Sequence, residues 1–212
     1  MSSIPTTGLR RLGVYGGAFD PPHEAHVALA LAALDQLGLD ALVVLPTGQA
    51  WHKDRPLTPA ADRLAMTRLA FQNQPKVRVD DREIKRLGPT YTVETLRELA
   101  LENPQAQLYL VMGEDQAKSL HRWHEIGEIT RLAIICVAER DAPDFSLMQG
   151  QVHLQDVDPA VQGDFRKILL PLMPHSATDI RSRVASGQPL NALVCEAVAG
   201  YIHNHHLYLT AR

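Results

Sequence analysis

The chain has 212 residues, of which 45% are hydrophobic and 21% charged, with a formal net charge of −3. That is ordinary globular composition, sufficient for one α/β domain over residues 1–212 that buries roughly 70% of its unfolded surface without disulfide or metal staples. The charge excludes the basic face that a long nucleic acid requires, and no stretch reaches the ~20 apolar residues of a membrane span. The opening residues MSSIPTTGLRR carry no apolar signal core.

Cys136 and Cys195 both lie in apolar surroundings. They read as buried reduced thiols, which points to a reducing, cytoplasmic compartment.

In chain order, the pattern alternates short β-branched runs with helical periodicity. A strand at 12–15 precedes a helix at 25–37. Strands at 41–45 and 76–79 bracket a helix at 59–73, and a loop spans 47–58. A helix at 93–102 is followed by a strand at 107–112, a helical region at 115–129 and a strand at 132–137. Residues 141–158 show weak periodicity and read as a loop. A strand at 167–170 and helices at 178–186 and 193–204 complete the chain. Several strands are apolar nearly throughout, as strands covered on both faces must be. The alternation predicts an α/β fold: a single Rossmann-like, doubly wound, mostly parallel sheet with helices on both faces. Ligands of such sheets gather at the carboxyl ends of the strands, near the switch in strand order.

The first strand runs directly into GGAFDPPHEAH, residues 16–26. Gly16 and Gly17 leave room for a ligand to approach the backbone. Ala18 and Phe19 continue the turn, Pro21 and Pro22 stiffen it, and a helix begins near His23 and Glu24. A helix start offers unsatisfied N–H donors and the positive end of the helix dipole, both of which favour phosphate. His23 and His26 stand three apart and share a face in the first turn. Two imidazoles there can donate to phosphate oxygens. HEAH is one residue shorter than the zincin spacing and has no third ligand placed, so the expectation is no metal site in the protein.

Residues 176–181 read SATDIR and open a later helix. Ser176 and Thr178 are cap-type residues. Together with Arg181 they form a second helix start with hydroxyls and a guanidinium, the groups a triphosphate takes. Trp123, in GEDQAKSLHRWH, is an aromatic ring able to stack a flat heterocycle. His203, His205 and His206 lie where the last helix ends and read as solvated side chains.

GGAFDPPHEAH resembles the (H/T)xGH signature of the nucleotidyltransferase α/β-phosphodiesterase superfamily, in the GGxFDPxHxGH form of bacterial nicotinate-nucleotide adenylyltransferases, with Ala25 where the family has Gly. SATDIR resembles its ISSTxIR motif, with His175 and Ala177 as departures. Ala50 to Asp54, AWHKD, is similar to the family's PPHK stretch, with Trp51 for a proline. DREIKRLGPTYTVETL and GEDQAKSLHRWH resemble its remaining motifs, so the likeness covers almost the whole chain.

The resemblance implies adenylyl transfer from ATP to nicotinate mononucleotide, giving nicotinate adenine dinucleotide and pyrophosphate in NAD biosynthesis. It implies small-molecule substrates, with Mg²⁺ carried in on ATP, and leaves the oligomeric state open. ATP would meet Gly16, Gly17, Ala18, Phe19, His23, His26, Ser176, Thr178 and Arg181. His26, His23 and Arg181 would carry the catalysis. The mononucleotide would meet His52, Lys53, Tyr91, Thr92, Asp115, Trp123 and His124. Its carboxylate would be held by the backbone N–H groups of Thr92 and His124. Such donors suit an acid better than an amide, whose NH₂ is itself a donor.

Overall fold

A computed structural model describes residues 8–48, 56–140, 158, 160–171, 173 and 176–209. The strands are β1 (Arg11–Gly17), β2 (Ala41–Pro46), β3 (Val77–Val79), β4 (Gln107–Gly113), β5 (Ala133–Arg140) and β6 (Phe165–Leu170). The helices are α1 (Glu24–Gln36), α2 (Ala60–Phe71), α3 (Arg82–Lys85), α4 (Thr92–Glu102), α5 (Glu114–Lys118), α6 (Ile126–Leu132), α7 (Ala177–Ala185) and α8 (Glu196–Asn204). A 3₁₀ turn covers Leu120–Arg122.

The six strands form one sheet in the order β3-β2-β1-β4-β5-β6, and every pairing is parallel. The expected "mostly parallel" sheet is thus parallel throughout the described residues. Strand order reverses between β1 and β4, which places the crevice outside the ends of these two strands. Both end in glycine, Gly17 and Gly113.

Alternation along the strands builds a core on each face. Leu12, Val14, Ala41, Val43, Leu45, Leu108, Leu110 and Met112 pack with Val93, Leu96 and Leu99 of α4 and with Ile129 of α6. Tyr15, Leu42, Val44, Tyr109, Val111 and Cys136 face the other way, onto Leu29, Ala30 and Ala33 of α1 and Phe71 of α2. Gly13 belongs to this second face: a Cβ there would stand 2.7 Å from Leu39 Cδ1 and 2.9 Å from Leu42 Cδ1. A third cluster, of Met66, Ile180, Val194, Val198 and Ile202, joins α2, α7 and α8.

The six strands occur where sequence periodicity places them, with shifts at their ends. Two helical expectations are corrected. The region 115–129 is not one helix: α5 stops at Lys118, Trp123 is extended, and Glu125 takes a left-handed φ of 52° before α6 starts. Docking of the Trp123 ring against the first core overrides a helical apolar spacing that continues through Leu120, Ile126 and Ile129. The last helix begins at Glu196 rather than 193, so Cys195 is its N-cap and not a helical residue. The helix expected at 178–186 starts at Ala177. Helix α3 was not anticipated. Both cysteines are free thiols; Cys136 is buried and Cys195 half-buried.

Candidate active site

Three segments meet at the carboxyl end of β1: the turn that follows it, the start of α1, and the start of α7. The turn is not made by its glycines. Neither Gly16 nor Gly17 has a positive φ; the left-handed residue is Phe19, at φ 47°. The glycines supply space instead. A Cβ at Gly16 would meet no atom within 4 Å, whereas one at Gly17 would lie 3.0 Å from the Phe19 ring. Phe19 is buried, and its ring stands edge-to-face with Tyr15 at 5.5 Å and with His26 at 5.0 Å between centroids.

His23 is the N-cap of α1 and is buried. Its imidazole stacks on that of His26, with centroids 3.7 Å apart and planes 27° from parallel. The backbone N–H of His23 donates to His26 Nδ1 at 3.1 Å. A neutral imidazole whose Nδ1 accepts a hydrogen bond carries its proton on Nε2. His26 is therefore set as an Nε2–H donor, the tautomer that a phosphate oxygen accepts from.

The helix start is less open than the sequence suggests. The N–H of Glu24 donates to the Leu193 carbonyl at 2.9 Å, and the N–H of His26 to the His23 carbonyl at 2.8 Å. The connection between α7 and α8 folds back over α1 and takes the first of these donors. The side chain of His26 is thus a more specific donor than the helix terminus.

Ser176 caps α7, its Oγ accepting from the Asp179 N–H at 3.0 Å. Arg181 Nη2 donates to Thr178 Oγ1 at 3.0 Å, and Nη1 donates to the backbone carbonyl of Asp20 at 2.7 Å. The second motif is thereby docked on the first. Asp20 is buried. Its carboxylate accepts from the Tyr208 hydroxyl at 2.7 Å and from the Thr58 N–H at 3.3 Å. Burial first, and the Asp20 charge second, push the Tyr208 hydroxyl well above the usual phenol range.

Two buried ionisable groups next to this cluster escaped the sequence reading. Arg63 of α2 is 1% exposed. It donates to three backbone carbonyls: Ala18 at 2.9 Å, Thr58 at 2.9 Å and Gly48 at 3.3 Å. Burial lowers its pKa, while the Asp20 charge opposes that shift. Glu83 of α3 is 6% exposed. Thr95 Oγ1 donates to its Oε1 at 2.8 Å, and burial pushes its carboxyl up to about 7 against the pull of Thr95, Arg86 and Thr47. Neither stands out by residue type, because each is buried by elements from elsewhere in the chain.

The residues expected for the mononucleotide divide. Tyr91 is the N-cap of α4 and Thr92 its first residue. The Tyr91 ring lies 4.4 Å from that of His124, so the motifs that hold these two residues converge. Trp123 is half-buried against the first core. His124 is exposed and sits 3.0 Å from Glu125 Oε1. Asp115 is exposed in the first turn of α5, just past β4. His52 and Lys53 lie outside the described residues. A cavity of about 770 Å³ between α7 and α8, lined by Leu190, Val194, Ile202 and His203 among others, shares none of these site residues. His203, His205 and His206 are exposed, with His205 stacked on Tyr201 at 3.9 Å.

Residues 14–183 match the model of the cytidylyltransferase-like family. The chain is 51% identical, over 96% of its length and all of the relative's, to a protein of Albidiferax ferrireducens named "probable nicotinate-nucleotide adenylyltransferase". A relative of the same name from Dehalococcoides mccartyi is 41% identical over 93% of this chain and 97% of its own. The fold is also that of the Plasmodium falciparum nicotinic acid mononucleotide adenylyltransferase solved in complex with NaAD, at a TM-score of 0.72 and 19% identity over 94% of this chain and 97% of that one. No described helix is long and apolar enough to cross a membrane. With both phosphate-type motifs at one strand end and relatives aligned from end to end, the chain belongs to the cytidylyltransferase-like family and, within it, to the nicotinate-nucleotide adenylyltransferases.

Proposed function

We propose that this chain transfers the adenylyl group of ATP to the 5′-phosphate of nicotinate mononucleotide, releasing pyrophosphate and nicotinate adenine dinucleotide. The observation that carries the reading is the meeting of the His26 donor and the Arg181 guanidinium on one turn, in a chain 51% identical to a relative bearing that enzyme name. The acceptor's phosphate is an anion at neutral pH and needs no general base. One of its oxygens bonds to the α-phosphorus as the bond from that phosphorus to the bridging oxygen breaks, and pyrophosphate leaves with that oxygen. Catalysis is then positioning and stabilisation of charge.

His26 Nε2–H donates to the α-phosphate as charge builds there, with His23 stacked beneath it. Gly16, Gly17, Ala18 and Phe19 line the path of the nucleotide. Arg181, with Ser176 and Thr178, takes the leaving pyrophosphate. ATP arrives as its Mg²⁺ complex, the ion held by phosphate oxygens and water. Trp123 stacks the pyridine ring. The backbone donors of Thr92 and His124 take its carboxylate, with Tyr91 and Asp115 beside the mononucleotide and His52 and Lys53 on its phosphate. One cytoplasmic domain serves both substrates.

The test is pyrophosphate release by purified protein. It should require ATP and nicotinate mononucleotide together and produce the dinucleotide in equal amount. Release from ATP alone, or with phosphopantetheine as acceptor, would replace this reading.

A further inference from the structure

Arg63 has no place in the reaction just described, yet it is a buried guanidinium bonded directly to the turn after β1. Its three carbonyl acceptors come from three segments: Ala18 after β1, Gly48 after β2 and Thr58 before α2. At 1% exposure it presents no surface for a ligand to meet. A buried charge is retained only where its hydrogen-bonding needs are met, so these carbonyls are held to the planar fork of the guanidinium. The Ala18 carbonyl belongs to the peptide that leads into Phe19, whose φ of 47° is disfavoured for any residue with a Cβ. That conformation puts the buried Phe19 ring edge-to-face against the His26 imidazole.

We infer that Arg63 is a positioning residue for His26, acting by fixing the Ala18 carbonyl and, through the Phe19 turn, the ring against which the His26 imidazole is set. The inference rests on the reading of His26 as the α-phosphate donor. Lysine cannot replace Arg63 in this role. Its donors diverge from one atom on a flexible stem, whereas the acceptors surround a rigid fork. With lysine the Ala18 peptide loses its anchor, Phe19 relaxes, and the His26 donor moves off line. Displacement of a catalytic group by about 1 Å costs up to ~10²-fold in rate.

The experiment is a double-mutant cycle on single-turnover rate with Arg63→Lys, His26→Ala and the double variant, each also followed by thermal unfolding. Arg63→Lys alone should lower the rate ~10- to 100-fold while moving the acceptor KM little. In the His26→Ala background its effect should shrink to less than about twofold, because the group it positions is gone. A merely structural Arg63 would lower the folded fraction and slow both backgrounds by the same factor, and that additivity would overturn the inference. Wild-type turnover by His26→Ala would instead overturn the reading of His26 itself. Where Arg63→Lys does not fold, Arg63→Gln takes its place. Phe19→Leu, which removes the ring contact and keeps Arg63, enters the same cycle and must also be non-additive with His26→Ala.

Discussion

Arg181 and Asp20, 161 positions apart in the chain, are joined by a 2.7 Å hydrogen bond from the guanidinium to the backbone carbonyl. This bond brings the start of α7 onto the turn after β1. It makes one locus of two motifs that are each unremarkable as helix starts. The same residue, Asp20, receives Tyr208 from beyond α8 and the Thr58 N–H from before α2. Three segments therefore depend on where the turn lies.

In the proposed mechanism, His26 is the group through which that turn acts on the substrate. His26→Ala should lower kcat by ~10²–10³, the usual loss for one donor to a developing charge, with a modest change in ATP affinity. Steady-state kinetics beside an equilibrium ATP titration separates the two. Turnover close to that of the unaltered protein would remove His26 from the mechanism.

Arg181→Lys keeps the charge and loses the fork that spans the Asp20 carbonyl and Thr178 Oγ1. A hydrogen bond from a charged group contributes ~1.5–3 kcal/mol, so kcat/KM for ATP should fall ~10- to 100-fold. The KM of the acceptor should hardly move. An unchanged ATP dependence would assign Arg181 to docking alone.

Glu83 gives the fold a pH dependence. Its carboxyl is pushed up to about 7 in the folded chain, chiefly by burial, against a reference of 4.5. Between these values the folded state holds more protons than the unfolded, so stability falls as pH rises. The favourable contribution is complete below about pH 4.5 and is lost as pH passes through about 7. Glu83→Gln, which keeps an oxygen for the Thr95 hydroxyl, should be more stable than the unaltered chain at pH 8, by on the order of 1–3 kcal/mol, and indistinguishable from it near pH 4.5. Chemical denaturation at the two pH values measures this; a parallel offset at both would mean that Glu83 does not titrate in this window.

Tyr208→Phe removes one hydrogen bond to a buried carboxylate. The cost to stability should be ~1.5–3 kcal/mol, and kcat/KM for ATP should fall as the turn loosens. Loss of stability with unaltered ATP kinetics would confine Tyr208 to the fold.

The sheet was legible because its strands are buried on both faces and read as continuous apolar runs between helical patterns. The turn after β1 was legible because glycine, proline and histidine converge between a strand and a helix. What escaped was decided by contacts between distant segments. Arg63 looks like any charged residue on a helix; only the carbonyls of Ala18, Gly48 and Thr58 make it a core residue. The break before Trp123 escaped because helical spacing of apolar residues runs across it, and local sequence does not report which ring docks on the core. The helix-start donor of Glu24 was expected to face phosphate and is taken by the Leu193 carbonyl, 169 positions on. The pattern DREIKR pointed to a family motif but not to Glu83 as its buried member.

In the proposed mechanism, acceptor choice rests on Trp123 and on the backbone donors of Thr92 and His124. The most direct measurement is competition between nicotinate and nicotinamide mononucleotides at equal concentration, with both dinucleotide products quantified. Mispairing the amide's NH₂ against N–H donors should cost ~2–4 kcal/mol, so the acid should win by about 30- to 1000-fold in kcat/KM. Trp123→Ala should weaken both acceptors together, and His124→Ala, whose contact is through the backbone, should matter less. A product ratio in that range is the predicted result; equal yields of the two dinucleotides would contradict it.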